Sequence, residues 1–175
     1  MMGSGKSSVG RRLASELGVA FVDLDARLER MFAMSIAEAF GQGEPYFRQL
    51  ERAALTSLVG EPGFEGRTVV VATGGGVVLD TENRACMDAA GLRVLLRVPP
   101  PELAARLSAG QGARPLVADA DDLLARLADL WAQRRAAYED VPHQVDGVGS
   151  VEAVTLRVAV ALDLDVHTDG KGDSA

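Results

Sequence analysis

The feature that most constrains this chain is Gly3-Ser4-Gly5-Lys6-Ser7, which runs without a linker into a helical pattern. Apolar residues at Val9, Leu13 and Leu17 form one face of an amphipathic helix, and Gly18 follows as its stop. The five residues match the end of the G-x-x-x-x-G-K-[ST] phosphate loop. Glycines let backbone N–H groups turn inward toward an anion, and a helix opening at Lys6 adds the positive end of its dipole. Lys6 can then reach the outer phosphates of a nucleotide, and the Ser7 hydroxyl can ligate Mg²⁺.

Helix-like and strand-like segments alternate downstream, which predicts an α/β protein with a parallel sheet. Strands are expected at 19–22, ending at Asp23, at 68–72, at 92–98 and at 144–146. Helices are expected at 27–32, from a capping box at Ser35 and Glu38, and at 46–58, 81–90, 122–139 and 150–162. The run Thr68-Val69-Val70-Val71-Ala72 is β-branched and apolar, so it is expected to be central and covered on both faces. Residues 110–121 read as a loop and 163–175 as a polar, disordered tail. The first glycine of the phosphate motif would precede Met1, and the central strand that normally delivers the loop is missing. The expectation is that the sequence starts inside its gene; a genuinely shortened protein is the alternative.

Composition narrows the function. At 175 residues the chain is expected to form one domain, over 1–162. A net charge of −7 argues against a nucleic-acid binder, because neutralising phosphates along a backbone needs a basic face. No apolar run suits a membrane helix or a secretory signal, and a single cysteine, Cys86, fits a reducing cytoplasm. Lys6 and Lys171 are the only lysines, so the remaining cations are arginines, the better side chain for two-pronged contacts to carboxylate or phosphate. His143 and His167 are too far apart and too poorly accompanied to suggest a metal site.

Further along lie groups that suit an anionic acceptor. Asp23 and Asp25 end a strand, the edge where open α/β sheets bind ligands, and they point the same way if the strand continues that far. One could sit near a metal and the other near an acceptor hydroxyl. Arg48 and Glu51 share a helical face at i, i+3. Gly74-Gly75-Gly76 directly follow the strongest strand and allow close approach of backbone to a ligand. Arg114-Pro115-Leu116 lies in the glycine-rich loop, and Arg134 precedes Tyr138 by four residues in the long helix.

In this order the segments resemble the shikimate kinases over roughly residues 1–162. The resemblance implies a three-layer α/β/α phosphate-loop kinase that transfers the γ-phosphoryl group of ATP to the 3-hydroxyl of shikimate. It implies that Gly3, Ser4, Gly5, Lys6, Ser7 and Ser8 hold the nucleotide phosphates. Ser7 would ligate Mg²⁺, with Asp23 holding it through water. Lys6, Asp25 and Arg114 would be catalytic, Arg114 from a lid at 110–121. Asp25 would hold the ring hydroxyls, Arg48 and Arg134 would clamp the carboxylate, and Gly74, Gly75 and Gly76 would line the acceptor. Glu51 would orient Arg48. Arg106 and Gly149 would border the adenine. Ala136 departs from the family, which often carries proline there. A cytoplasmic monomer is implied. The alternatives are another small kinase, acting on gluconate or a nucleotide, or an inactive, N-terminally truncated nucleotide-binding module.

Overall fold

The computed structural model describes residues 1–109 and 122–166. Helix α1 (Lys6–Leu17) opens after Gly5 and stops at Gly18, whose left-handed backbone returns its N–H to the carbonyls of Ala14 and Ser15. Strand β1 (Ala20–Asp23) follows and ends where Asp23 begins to cap a helix. That helix, α2 (Leu24–Phe32), starts three residues earlier than its periodicity suggests. The Asp23 carboxylate accepts the N–H groups of Asp25 and Ala26 and so satisfies two donors of the first turn.

Helix α3 (Ile36–Gly41) opens with the expected capping box of Ser35 and Glu38. Helix α4 (Glu44–Val59) starts before its expected position because Pro45 sits in the first turn, where a missing N–H costs nothing. Strand β2 (Val69–Ala72) leads into the three glycines and a 3₁₀ turn at Val77–Leu79, then α5 (Thr81–Ala90), capped by Asp80. Strand β3 (Val94–Arg97), helix α6 (Pro100–Ala109), helix α7 (Leu123–Glu139), strand β4 (His143–Asp146) and helix α8 (Val151–Ala161) complete the described chain. Asp122 and Ser150 cap α7 and α8.

The strands form two parallel pairs. Ala20 to Asp23 face Val69 to Ala72, and Val94 to Arg97 face His143 to Asp146. Among the described residues no ladder joins the pairs, so the parallel sheet is divided, as expected of a sheet that lacks its central strand. Val69, Val70 and Val71 are accordingly half-buried, not enclosed, because β2 is paired along one edge only. Helix α1 spans the division. Its Val9 and Leu13 join Leu96, Val145, Val154 and Val158 in one apolar cluster, with Val70 against it.

A second cluster lies under β1 between α2 and α4, with Leu24, Leu28, Phe47 and Leu50 at its centre. A third joins α6 to α7 through Leu103, Leu127, Leu130 and Tyr138. Each fully buried leucine contributes about 1.5–3 kcal/mol, so these clusters fix the helices that carry the polar residues described next. The expected tail begins later than its polarity suggests. Leu164 and Val166 pack on the α1–α8 cluster, and the Leu164 N–H bonds to the Ala159 carbonyl. Residues 167–175, including His167, lie outside the described residues, as do the expected lid at 110–121 and Arg114.

Candidate active site

A cleft of about 300 Å³ opens where the turn before α1 meets the carboxyl ends of β1 and β2. Gly3 and Gly5 hold φ of 73° and 89°, a left-handed backbone that side chains rarely adopt. Gly5 offers no side chain to cap α1, so the first-turn N–H groups stay open to an anion. Lys6 lines the cleft, and its ammonium donates to the Met1 carbonyl at 2.7 Å. Ser7 and Ser8 line it beside the turn. Ser4 does not; it is buried, and its hydroxyl donates to the Met1 carbonyl.

Opposite the turn stand the two aspartates. Asp23 accepts the Ser7 hydroxyl at 2.6 Å through one oxygen and caps α2 through the other. A hydroxyl that donates to a carboxylate turns its lone pairs outward, and with the carboxylate it forms a hard oxygen pair suited to Mg²⁺ beside phosphate. Asp25 is not on a continued strand as alternation suggested. It sits in the first turn of α2, and the helical turn brings it into the cleft beside Asp23. Burial, then the Asp23 charge, raise its pKa; Lys6 and Arg48 act in the opposite direction.

The three glycines are placed against these side chains. A Cβ on Gly74 would stand 2.6 Å from Glu51 Oε1 and 2.8 Å from Asp25 Oδ1. A Cβ on Gly76 would stand 2.1 Å from Arg48 Nη1. Arg48 is held from below by a 2.7 Å ion pair to Glu51, which is 1% exposed, and by a second to Glu44. Burial lowers the Arg48 pKa, but the Glu51 and Glu44 carboxylates more than offset it and the net direction is upward. Burial raises that of Glu51 against the pull of Arg48.

Arg134, 7% exposed, comes from α7. Tyr138 follows it by one helical turn, and the Tyr138 hydroxyl donates to the Gly75 carbonyl at 2.6 Å. The charges of both Arg48 and Arg134 act on Glu51 and on Tyr138. Arg48 and Arg134 stand 86 positions apart in sequence, yet both act electrostatically on these same two side chains.

Arg106 forms the wall between this cleft and a smaller cavity of about 230 Å³, which Ser4, Gly5, Gly147 and Gly149 also line. Its guanidinium bonds to Glu102 and to the Gly147 carbonyl. Glu44 escaped sequence analysis, although its place four residues before Arg48 was a signal for it. Thr73, Met2 and Leu107 in the cleft wall carried no such signal.

A family model described as shikimate kinase matches residues 2–161. A shikimate kinase of Geobacter sulfurreducens is 42% identical over 160 residues, covering 90% of this chain and 84% of that one. The crystal structure of a shikimate kinase from Bacteroides thetaiotaomicron superposes with a TM-score of 0.83 at 30% identity, covering 93% of this chain and 94% of that one. A shikimate kinase from Acinetobacter baumannii, solved in complex with shikimate, gives 0.81 at 28%, with coverage of 93% and 89%.

Proposed function

The chain belongs to the shikimate kinase family, and from that premise we propose how its cleft moves the γ-phosphoryl group of ATP to the 3-hydroxyl of shikimate. Phosphoryl transfer is mostly positioning and charge neutralisation. The backbone from Gly3 to Ser7 and the Lys6 ammonium hold the phosphates, with Ser8 at the start of α1. Arg114, outside the described residues, supplies a further cation. Ser7 and Asp23 would hold Mg²⁺, which would supply charge neutralisation at the phosphate oxygens.

Arg48 and Arg134 grip the shikimate carboxylate from two sides of the glycine bend, and Gly74, Gly75 and Gly76 bring backbone against the ring. Asp25 holds the reacting hydroxyl. Its raised pKa suits it to take the proton as the new oxygen–phosphorus bond forms and the bond to the β-phosphate bridge breaks. Arg106 and Gly149 border the nucleotide base in the smaller cavity. The enzyme works as a cytoplasmic monomer, its activity carried by residues 1–162. No helix among the described residues is long and apolar enough to cross a membrane.

The observation that carries this reading is the convergence of Arg48, Asp25 and Gly74–Gly76 beside the phosphate turn. A nucleotide acceptor would bring no carboxylate for the buried Arg134 and the partly buried Arg48 to share. A coupled assay offering shikimate, gluconate and nucleoside monophosphates tests it. Turnover is expected with shikimate alone; turnover of a nucleotide without shikimate turnover refutes it.

A further inference from the structure

Helix α7 reaches the glycine bend through one hydroxyl. Tyr138 stacks on Trp131, with ring centroids 5.5 Å apart and planes at 23°, and its ring is buried in the α6–α7 cluster. This packing leaves the phenol little freedom except rotation of its O–H. Its O–H donates to the Gly75 carbonyl at 2.6 Å, across 63 residues of sequence, and Arg134 stands one helical turn earlier on the same face of α7.

We propose that Tyr138 is a positioning residue for the acceptor, its hydroxyl tying α7, which carries Arg134 one turn earlier, to the Gly75–Gly76 peptide. The inference rests on the reading above that Arg134 and the glycine bend hold shikimate. Helix α7 lies between β3 and β4 in chain order and the bend follows β2, and no ladder joins those strand pairs among the described residues, so side-chain contacts set the spacing of Arg134 and the bend. Tyr138 does so at the site itself. Fixing the Gly75 carbonyl also fixes the N–H of Gly76, because both lie in one peptide plane and point opposite ways. The N–H therefore points away from the α6–α7 cluster in which the Tyr138 ring is buried. Burial raises the Tyr138 pKa, with Arg134 and Arg48 opposing, so the phenol keeps the proton it must donate.

The test is Tyr138→Phe in the full chain, which removes one oxygen and keeps the ring stack. Shikimate binding is measured by calorimetry without nucleotide, and steady-state kinetics and melting are measured beside it. The Kd and KM for shikimate are expected to rise about tenfold, the equivalent of about 1.4 kcal/mol. The KM for MgATP should stay within about twofold, and kcat should fall less than the shikimate KM rises. Trp131→Phe controls for packing: it should lower Tm while leaving shikimate Kd near wild type. An unchanged shikimate Kd in Tyr138→Phe overturns the inference, as does an equal rise in Trp131→Phe. A double-mutant cycle of Tyr138→Phe with Arg134→Lys supplies a second measurement: additive losses overturn the coupling, and non-additive losses support it. If the wild-type chain itself does not bind shikimate, the functional reading falls first and this inference with it.

Discussion

The Arg48 guanidinium occupies the place that a side chain on Gly76 would fill, Nη1 standing 2.1 Å from an ideal Cβ there. The φ of Gly76 is −101°, which any residue adopts, so the demand for glycine is steric. Arg48 is tied by Glu44 and Glu51 and cannot swing aside without losing an ion pair. Gly76→Ala is therefore expected to raise the shikimate KM about tenfold, a cost of about 1.4 kcal/mol, with little change in Tm. Wild-type shikimate KM in this variant would show that Arg48 does not need the space.

Lys6 faces the cleft and does not enter any of the three apolar clusters. Lys6→Ala should lower kcat by roughly 10²–10³-fold, the usual loss when one charge-stabilising donor is removed, while the melt stays cooperative. Retained turnover would remove Lys6 from the phosphate site.

Arg134→Ala deletes one arm of the clamp. Charge-assisted bonds contribute about 1.5–3 kcal/mol, so shikimate KM should rise roughly 10- to 100-fold with a smaller effect on MgATP. An unchanged shikimate KM would count against the clamp.

Asp25 links activity to stability. Burial and the Asp23 charge raise its folded pKa above the unfolded value, so the folded chain holds the proton more tightly. Stability is then lost as pH rises from the ordinary carboxylate range, about 4, through the raised pKa. Asp25→Asn removes that loss. The variant should melt above wild type at neutral pH, converge with it near about pH 4, and lose roughly 10²–10⁴-fold in kcat. A gap in Tm that does not change with pH contradicts the argument.

Chelation of Mg²⁺ should abolish turnover, and Ser7→Ala should raise the Mg²⁺ needed for half-maximal rate about tenfold or more. The Ser7–Asp23 contact predicts this, since removing the hydroxyl deletes one of the two oxygens placed for the ion. An unaltered Mg²⁺ dependence would assign Ser7 to the turn alone.

The chain's local chemistry was legible in its residue order. Caps at Ser35 and Ser150, the stop at Gly18 and the phosphate turn follow from short-range rules, because each needs only neighbours within a few positions. The three glycines, the Arg48–Glu51 spacing and the Arg134–Tyr138 spacing could likewise be seen. What they do to one another could not. Only tertiary packing set Glu51 and Asp25 against Gly74, filled the space at Gly76 with a guanidinium, and carried a phenol across 63 residues to one carbonyl. It also placed Asp25 in the first turn of a helix that the Asp23 side chain caps, where the sequence had left open whether the strand continued to Asp25. Periodicity reports which face of an element is apolar, whereas the separation of polar atoms from different elements depends on how those faces pack.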